Sequence, residues 1–443
     1  MTCLFVPSYL LRRIAESGHP GAGSSNQTLR VDAGVRGRRA ARLAAPPVID
    51  GAWLVHTADN GTVLPGEPVR AAGEPAVGDA AVDEAADGIA STLALFAEVF
   101  GRASYAGQGI GVSLTVHYEK DYDNAFWDGA HLVFGDGDGR VFDRFTTAID
   151  VLAHEFTHAV TESTAALAYE GQPGALNESV SDVFASCLKQ RVLGQTVDQA
   201  DWLIGEGLFL PGVQARALRD MAAPGTAYDD PVLGQDPQVG HMDDFVDTTE
   251  DTGGVHINSG IPNRAFHLAA LAVGGSVWQG AGQIWYAALT SGRLAADADF
   301  SAFAAATVAA AGDRAEAVGQ AWLQVGVDPG GESVPTGTGA AASPTDVPAG
   351  VVAVRRSGGF AGRTTVGVVD LDGADPRADE VRDLVSGLDL RRVKPALPKP
   401  DMFTYTFEIC GADPVAVPEQ HLDARLHRLA EVVLSGTEDG ATR

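Results

Sequence analysis

The sequence predicts an α+β protein with several domains, and three features lead to that fold class. Short alternating apolar stretches, which are typical of strands, concentrate between residues 47 and 142. Long segments with helical spacing of their apolar residues dominate residues 146–327. Residues 328–350 are rich in Gly, Pro, Ser, Thr and Ala, which indicates a flexible linker before a second mixed segment. A chain of 443 residues is also too long for one small core.

Composition and charge exclude several classes of protein. Hydrophobic residues make up 45% of the chain and charged residues 20%, as in an ordinary globular protein. The net charge of −27 disfavours binding to nucleic acid and to anionic membranes, since both would repel it. No segment approaches the roughly 18–20 apolar residues of a membrane span. Three distant cysteines, Cys3, Cys187 and Cys410, argue against a disulfide framework.

The first 45 residues contain one amphipathic segment, residues 9–16, and then a polar stretch, residues 18–42. We expect this stretch to be exposed and open to proteolysis at Arg38, Arg39 and Arg42. The N-terminus is apolar first and basic after, which is the reverse of a secretory signal peptide, so none is expected.

The remaining elements follow from periodicity and turn signals. Residues 225–252 form a long loop rich in Asp, Gly and Pro, and loops of that length are usually functional. Strands are predicted at residues 53–56, 112–118, 351–355, 364–370 and 403–409, with an extended segment at 124–127. Helices are predicted at residues 79–100, around the two histidines described next, at 253–271, 277–289, 300–325, 379–387 and 422–434.

The helix after residue 146 carries the pattern His154-Glu155-x-x-His158. Four residues make just over one helical turn, so both imidazoles leave the same face. Two neutral imidazoles about 5–6 Å apart can bind one Zn²⁺ and leave room for a carboxylate and a water. Glu155 lies about 100° round the helix, where it can accept a proton from that water without binding the metal.

This short pattern also occurs by chance in unrelated helices, so its context decides the interpretation. The surrounding helix is apolar, and the pattern Asn177-Glu178-x-x-x-Asp182 follows at helical spacing. Glu178 is therefore the candidate third ligand, and we expect one catalytic Zn²⁺.

With nineteen residues between His158 and Glu178, the chain resembles the thermolysin family of zinc endopeptidases. The resemblance covers residues 47–327 and rests on four blocks in the same order, namely residues 124–127, the zinc helix, residues 177–182 and residues 253–260. The N-terminal segment with Cys3 and Pro7-Ser8-Tyr9 is similar to the brief propeptide of the protealysin branch, although Ser8 replaces a usual proline.

The resemblance implies a two-lobed metalloprotease fold and a neutral endopeptidase. Its parts would be a propeptide at residues 1–45, a mixed β/α N-terminal lobe at 46–165 and a mainly α-helical C-terminal lobe at 166–327. Relatives of this family are mostly exported, so we expect secretion without a recognisable signal peptide, with a cytoplasmic location as the alternative. A catalytically idle, zinc-stabilised binding protein is the alternative function.

The family's catalytic roles map onto residues of this chain. Glu155 would be the general base, and His256 and Tyr169 would donate to the oxyanion. Asp251 would orient His256, and Asp182 and Asn177 would bind the outer ring nitrogens of His154 and His158. His256 could instead cap a helix, and Tyr169 could belong to the core.

The resemblance also implies a substrate cleft. Asn124 and the backbone of Ala125 would bind the substrate main chain, and Arg219 would bind the carbonyl on the leaving side or serve as a structural ion pair. Because the pocket after the scissile bond would be apolar, we expect cleavage before Leu, Phe, Ile or Val. Its lining would be Phe142, Phe145, Val151 and Leu218.

Two further expectations concern calcium and the C-terminal segment. Family members often bind calcium behind the zinc helix, and Asp150, Asp201 and Glu206 are candidates for at most one site, because Lys189 replaces a bridging glutamate. Residues 352–362 and 401–407 are two short blocks that resemble emfourin, an inhibitor of protealysin-like peptidases, and the resemblance spans about residues 351–436. It implies an inhibitor domain at residues 351–443. This domain would keep the enzyme latent, unless it forms a binding or secretion module. Cys3 is a second candidate for latency, as a thiolate bound to zinc.

Overall fold

A computed structural model describes residues 4–41, 49, 51–107 and 109–330, and parts of the segment from residue 351 to residue 435. The described parts of that segment are residues 351–358, 365–371, 375–386, 388, 403–409, 415–419, 422 and 424–435. The described residues do not include Cys3, Cys410, Arg42 or residues 331–350 of the predicted linker. The hypothesis of a Cys3 thiolate bound to zinc therefore also lies outside the described residues. The chain divides into two compact units, which are residues 1–39 with 43–334, and residues 335–443 with 40–42.

Two helices begin the larger unit, α1 (Ser8–Glu16) and α2 (Ala22–Ala41). Helix α1 buries the apolar face that its periodicity predicts, including Leu10 and Ile14. The prediction of an open stretch is wrong for α2. Its buried face is mostly polar, with Ser25, Thr28 and Asp32 at helical spacing before the buried Val35. Apolar periodicity cannot detect such a face.

A mixed five-stranded sheet follows, in the order β2-β1-β3-β5-β4. Strand β3 pairs parallel to β1 and β5, while β2 and β4 add antiparallel at the two edges. The long helix begins where the Asp79 side chain accepts the Val82 N–H and ends at Gly101 with φ of +66°. The elements of this part are β1 (Trp53–Thr57), β2 (Glu67–Ala71), α3 (Ala80–Phe100), β3 (Val112–Val116), β4 (Ala125–Trp127) and β5 (His131–Phe134).

The rest of the larger unit is mainly helical, as predicted. The predicted long loop contains one short strand pair, formed by residues 229–230 and 234–235. The segment predicted as one helix at residues 300–325 is two helices. The elements are α4 (Ile149–Glu162), α5 (Gly171–Leu193), β6 (Leu203–Ile204), β7 (Arg219–Asp220), β8 (Asp229–Asp230), β9 (Gly234–Gln235), α6 (Asp251–Asn258), α7 (Gly260–Val273), α8 (Ala281–Leu289), α9 (Phe300–Ala310) and α10 (Ala315–Gln324). None of the helices in the described part of the chain is long and apolar enough to cross a membrane.

The smaller unit has its own sheet and its own core. Four antiparallel strands lie in the order β11-β10-β12-β13. The alternating residues Val352 and Val354 of one strand and Phe407 of its neighbour are buried together with Leu429 and Val433 of the last helix. The elements are β10 (Val351–Gly358), β11 (Thr365–Asp370), α11 (Ala378–Val385), β12 (Phe403–Ile409), β13 (Val415–Pro418) and α12 (Ala424–Leu434). Both units therefore mix helices and sheet, which confirms the α+β class.

Candidate active site

Helices α4 and α5 bring three metal-binding side chains together in the interior. The Nε2 atoms of His154 and His158 lie 2.9 Å apart. Glu178 Oε2 is 3.4 Å from the first of them, and its Oε1 is 3.7 Å from the second. Among the described residues, no other group of three or more His, Cys, Asp or Glu side chains places its donor atoms within 4.8 Å of one another.

The outer ring nitrogens of both histidines have oxygen partners. His154 Nδ1 lies 2.8 Å from Asp182 Oδ1, and His158 Nδ1 lies 2.8 Å from Asn177 Oδ1. The Asn177 amide also donates to the Leu167 carbonyl at 3.1 Å, which fixes Oδ1 as the acceptor. Each Nδ1 therefore carries a hydrogen, so the neutral form of each ring has the lone pair of Nε2 available for a metal. Two imidazole nitrogens and a carboxylate form a donor set that fits Zn²⁺.

Asp182 is itself held by two further side chains. Arg219 donates two hydrogen bonds to its two oxygens, both at 2.8 Å. Asn263 of α7 donates another, also at 2.8 Å. Burial opposes the charged form, but Arg219 and His154 outweigh it and keep the pKa of Asp182 below its usual value. Sequence reasoning missed Asn263, because nothing local distinguishes it from other helical asparagines.

Glu155 is fully buried beside the histidine pair. Burial and, to a smaller extent, the Glu178 charge raise the pKa of Glu155 to about 7, although His154 opposes them. A dication bound to the neighbouring ligands would lower this pKa, because it stabilises the carboxylate. Glu155 is therefore suited to accept a proton near neutral pH.

His256 and Tyr169 converge on the same centre from α6 and from the loop before α5. His256 Nδ1 lies 2.6 Å from Asp251 Oδ1, and its backbone N–H donates to Asp251 Oδ2 at 2.8 Å. Burial alone would lower the pKa of His256, but Asp251 and Glu178 reverse this effect and raise it. The imidazolium form can donate from both nitrogens. The Tyr169 hydroxyl donates to Glu178 and lies 3.4 Å from His256 Nε2.

A glycine permits the approach of α6 to α5. Gly253 has φ of +83°, and a Cβ there would lie 2.8 Å from the backbone nitrogen of Gly171. Only glycine fits such a close contact at such a dihedral angle. The pattern of two glycines before Val255 and His256 therefore has a structural reason as well as a family resemblance.

The cleft is filled by the chain's own residues 4–6, which sequence reasoning did not predict. The Phe5 N–H donates to the Ala125 carbonyl at 3.0 Å. Val6 exchanges two hydrogen bonds with the Asn124 amide, at 2.8 and 3.2 Å. Two carbonyls are bound as well, since Arg219 donates to Phe5 O at 3.3 Å and His256 Nε2 donates to Leu4 O at 3.1 Å.

The Phe5 ring lies fully buried in the cleft. It meets the His154 ring edge-on at 5.1 Å, and the Arg219 guanidinium lies 4.7 Å from its centroid. A Cβ on Gly205 would touch the Phe5 ring, at 3.4 Å, and Leu218, at 3.2 Å. The four predicted pocket residues are buried in the same apolar cluster as Phe5, and they are Phe142, Phe145, Val151 and Leu218.

An ammonium lies among the candidate calcium ligands. Lys189 Nζ donates to Asp201 at 2.9 and 3.0 Å, to Glu206 at 2.9 Å and to the Leu203 carbonyl at 3.2 Å. Asp150 accepts the Gly205 N–H at 3.0 Å. Burial raises the pKa of Asp150 to about 6, although the Lys189 charge opposes it. The positive charge of Lys189 therefore offsets part of the negative charge of the Asp150, Asp201 and Glu206 carboxylates.

Comparison with known proteins agrees with this geometry. The family model of the thermolysin metallopeptidase catalytic domain matches residues 59–162, and that of the α-helical domain matches residues 165–327. The emfourin model matches residues 354–434. The extracellular metalloprotease of Pectobacterium carotovorum subsp. carotovorum is 48% identical over 338 residues, which cover 74% of this chain and 96% of the relative.

Two other proteins are similar to this chain. Protease PrtS of Photorhabdus sp. (strain Az29) is 48% identical over 280 residues, which are 62% of this chain and 76% of that protein. The solved precursor of protealysin, a metalloproteinase from Serratia proteamaculans, is 49% identical, with a TM-score of 0.68, and the match covers 73% of this chain and 99% of that one. This chain therefore belongs to the thermolysin family of zinc metalloendopeptidases and carries an emfourin domain at its C-terminal end.

Proposed function

We propose that His154, His158 and Glu178 hold the zinc of this endopeptidase and that Glu155 is its general base. Zn²⁺ bound there supplies Lewis acidity to water and to the scissile carbonyl. Glu155 takes a proton from the attacking water and passes it to the leaving amine. His256 and Tyr169 donate hydrogen bonds to the carbonyl oxygen as it gains negative charge.

These roles are supported by the way residues 4–6 lie in the cleft. Asn124 and Ala125 bind them as an added strand at the sheet edge formed by β4, which is a common mode of peptide recognition. Arg219 binds a peptide carbonyl while it also pairs with Asp182. We therefore assign both predicted roles to Arg219, the contact with a substrate carbonyl and the structural ion pair.

Replacing the proposed base tests the mechanism. In Glu155→Gln the side chain keeps its shape but cannot accept the proton, so peptide hydrolysis should fall by about 10²–10⁴-fold. Zinc content per chain should remain unchanged, because Glu155 is not a ligand in this scheme. Both proteins are assayed after limited proteolysis has removed the N-terminal segment and the C-terminal domain. If both then bind zinc and neither cleaves peptides, the idle zinc-stabilised binding protein becomes the better description.

The Phe5 pocket supports the preference for a bulky apolar residue after the scissile bond. A full phenylalanine ring is buried there, and Gly205 leaves the space for it. We expect a peptide library to show preference for Phe, Leu, Ile or Val at this position. Burying an unpaired charge in such a pocket would be costly, so a preference for Asp or Lys would contradict the assignment.

We further propose that both ends of the chain contribute to latency. Residues 4–6 occupy the groups that would bind a substrate, so the N-terminal segment keeps the cleft closed. The emfourin domain would act on the same chain as a tethered inhibitor. Export is proposed because the Pectobacterium relative is named as extracellular, and mass spectrometry of medium and cell fractions would locate the protein.

A further inference from the structure

Residues 4–6 lie in the cleft in the direction and register of a substrate. His256 binds the Leu4 carbonyl, and Arg219 binds the next carbonyl, that of Phe5. In the proposed function, His256 donates a hydrogen bond to the scissile carbonyl. The family resemblance assigns Arg219 to the carbonyl on the leaving side, which follows the scissile carbonyl. Leu4 therefore stands before the scissile position and Phe5 after it.

The side chains agree with this register. The Phe5 side chain is fully buried, and it belongs to the same apolar cluster as the residues proposed to line the pocket after the scissile bond. The Phe5 N–H, which belongs to the amide between Leu4 and Phe5, donates to the Ala125 carbonyl at 3.0 Å. A segment that only blocked the cleft could run in the opposite direction or present no peptide bond to His256. Here the bond is held on both sides, as productive positioning requires.

We propose that the bond between Leu4 and Phe5 is a substrate of the chain's own active site, so that the precursor cuts itself in cis and then begins at Phe5. This inference rests on the proposed function. The oxygen of water adds to the Leu4 carbonyl carbon, and the C–N bond to Phe5 breaks. Leu4 leaves as a carboxylate, and the Phe5 nitrogen receives the proton that Glu155 took from the water.

Cleavage alone does not empty the cleft. Phe5 and Val6 keep their hydrogen bonds to Arg219 and Asn124, and α1 buries Leu10, Leu11 and Ile14 in the main core. The residues after the cut thus remain bound as a product. The self-cleaved chain is therefore still latent, and release of the N-terminal segment is a separate, later step.

The experiment uses the full-length zinc-loaded protein and follows its N-terminus by intact mass and N-terminal sequencing. We expect wild type to lose residues 1–4 at a rate that does not change over a tenfold range of protein concentration. Glu155→Gln should keep residues 1–4. Phe5→Leu should still be cut, whereas Phe5→Asp should be cut at least tenfold more slowly, with circular dichroism checking that both fold.

The outcomes separate the inference from the proposed function. If wild type keeps Leu4 yet hydrolyses added peptides once limited proteolysis has removed the N-terminal segment, the inference is wrong and the function stands. A rate that rises with protein concentration overturns cleavage in cis. If Leu4–Phe5 is not cut, and an added peptide is not cut even after limited proteolysis has removed the N-terminal segment and the C-terminal domain, the proposed function fails as well.

Discussion

Asp182 shows how much of the site depends on a few hydrogen bonds of one side chain. Its two oxygens accept from His154, Arg219 and Asn263 at the same time. Arg219 in turn reaches the Phe5 carbonyl, so Asp182 connects the histidine pair to the cleft. Removing a partner leaves Asp182 free to rotate, and the His154 ring with it.

Asn263 is the partner that can be removed with the least other damage. In Asn263→Ala, Asp182 loses one of its donors, and we expect zinc affinity to fall about 10-fold or more. Competition with a chromogenic chelator measures this without an activity assay. Asn26→Ala is the matched control, because Asn26 is exposed on α2 and should leave zinc affinity unchanged. Equal zinc affinity in wild type and Asn263→Ala would show that Asn263 does not position the ligand.

Helix α2 binds the catalytic part of the chain through polar groups. Ser25 donates to Asp123 at 3.3 Å, and the Asp123 N–H donates to Thr28 at 3.0 Å. The Tyr122 hydroxyl donates to Asp32 at 2.5 Å, and the Asn124 amide donates to the same carboxylate at 3.1 Å. Burial, and then the nearby Asp138 charge, raise the pKa of Asp123 to about 8. Asp123 is therefore mostly protonated at neutral pH while α2 is bound.

The sign of the pH effect follows from this shift. Once α2 leaves, Asp123 meets water and its pKa falls toward the usual value of about 4, so binding of α2 takes up a proton. Binding should therefore weaken as pH rises from about 4 to about 8, by up to tenfold per pH unit. We expect faster release of the N-terminal segment at pH 8 than at pH 6.

Asp123→Asn tests this effect because the amide cannot ionise. The variant should lose most of the pH dependence and keep the segment bound at pH 8. Protection of the segment from added trypsin, followed by mass spectrometry in the Glu155→Gln background, measures release without self-cleavage. The same slope in Asp123→Asn as in the parent would assign the pH dependence to another group.

At the scale of the whole molecule, a predicted linker of about twenty residues joins an endopeptidase to an emfourin domain. Tethering typically gives effective concentrations in the millimolar range. Even a weak inhibitor would then stay bound to its own enzyme. Once the chain is cut, the same inhibitor would dissociate on dilution.

Cutting the linker tests the tethered inhibitor. In protein from which the N-terminal segment has been removed, and with a site for a specific protease inserted between residues 335 and 345, cleavage should raise casein hydrolysis when the protein is diluted below micromolar concentration. Adding back the excised domain in excess should lower activity again. Unchanged activity after complete cleavage would favour a binding or secretion module.

The proposed zinc ligands could be recognised in the sequence because their geometry is local. His154 and His158 share one helical turn, and Glu178 belongs to a second pattern with helical spacing, so periodicity is enough to bring the groups onto facing helices. The α+β class followed from the same periodicity. The predicted preference for an apolar residue after the scissile bond came from the family resemblance, which assigns four apolar residues of this chain to the pocket.

The closed cleft could not be recognised in this way. The contacts of Val6 with Asn124 and of Leu4 with His256 join residues 118 and 252 positions apart. Nothing in the residues around Phe5 distinguishes a strand in a cleft from any apolar N-terminus. The buried face of α2 is mostly polar, and a polar side chain becomes a buried contact only where the tertiary fold supplies its hydrogen-bond partner.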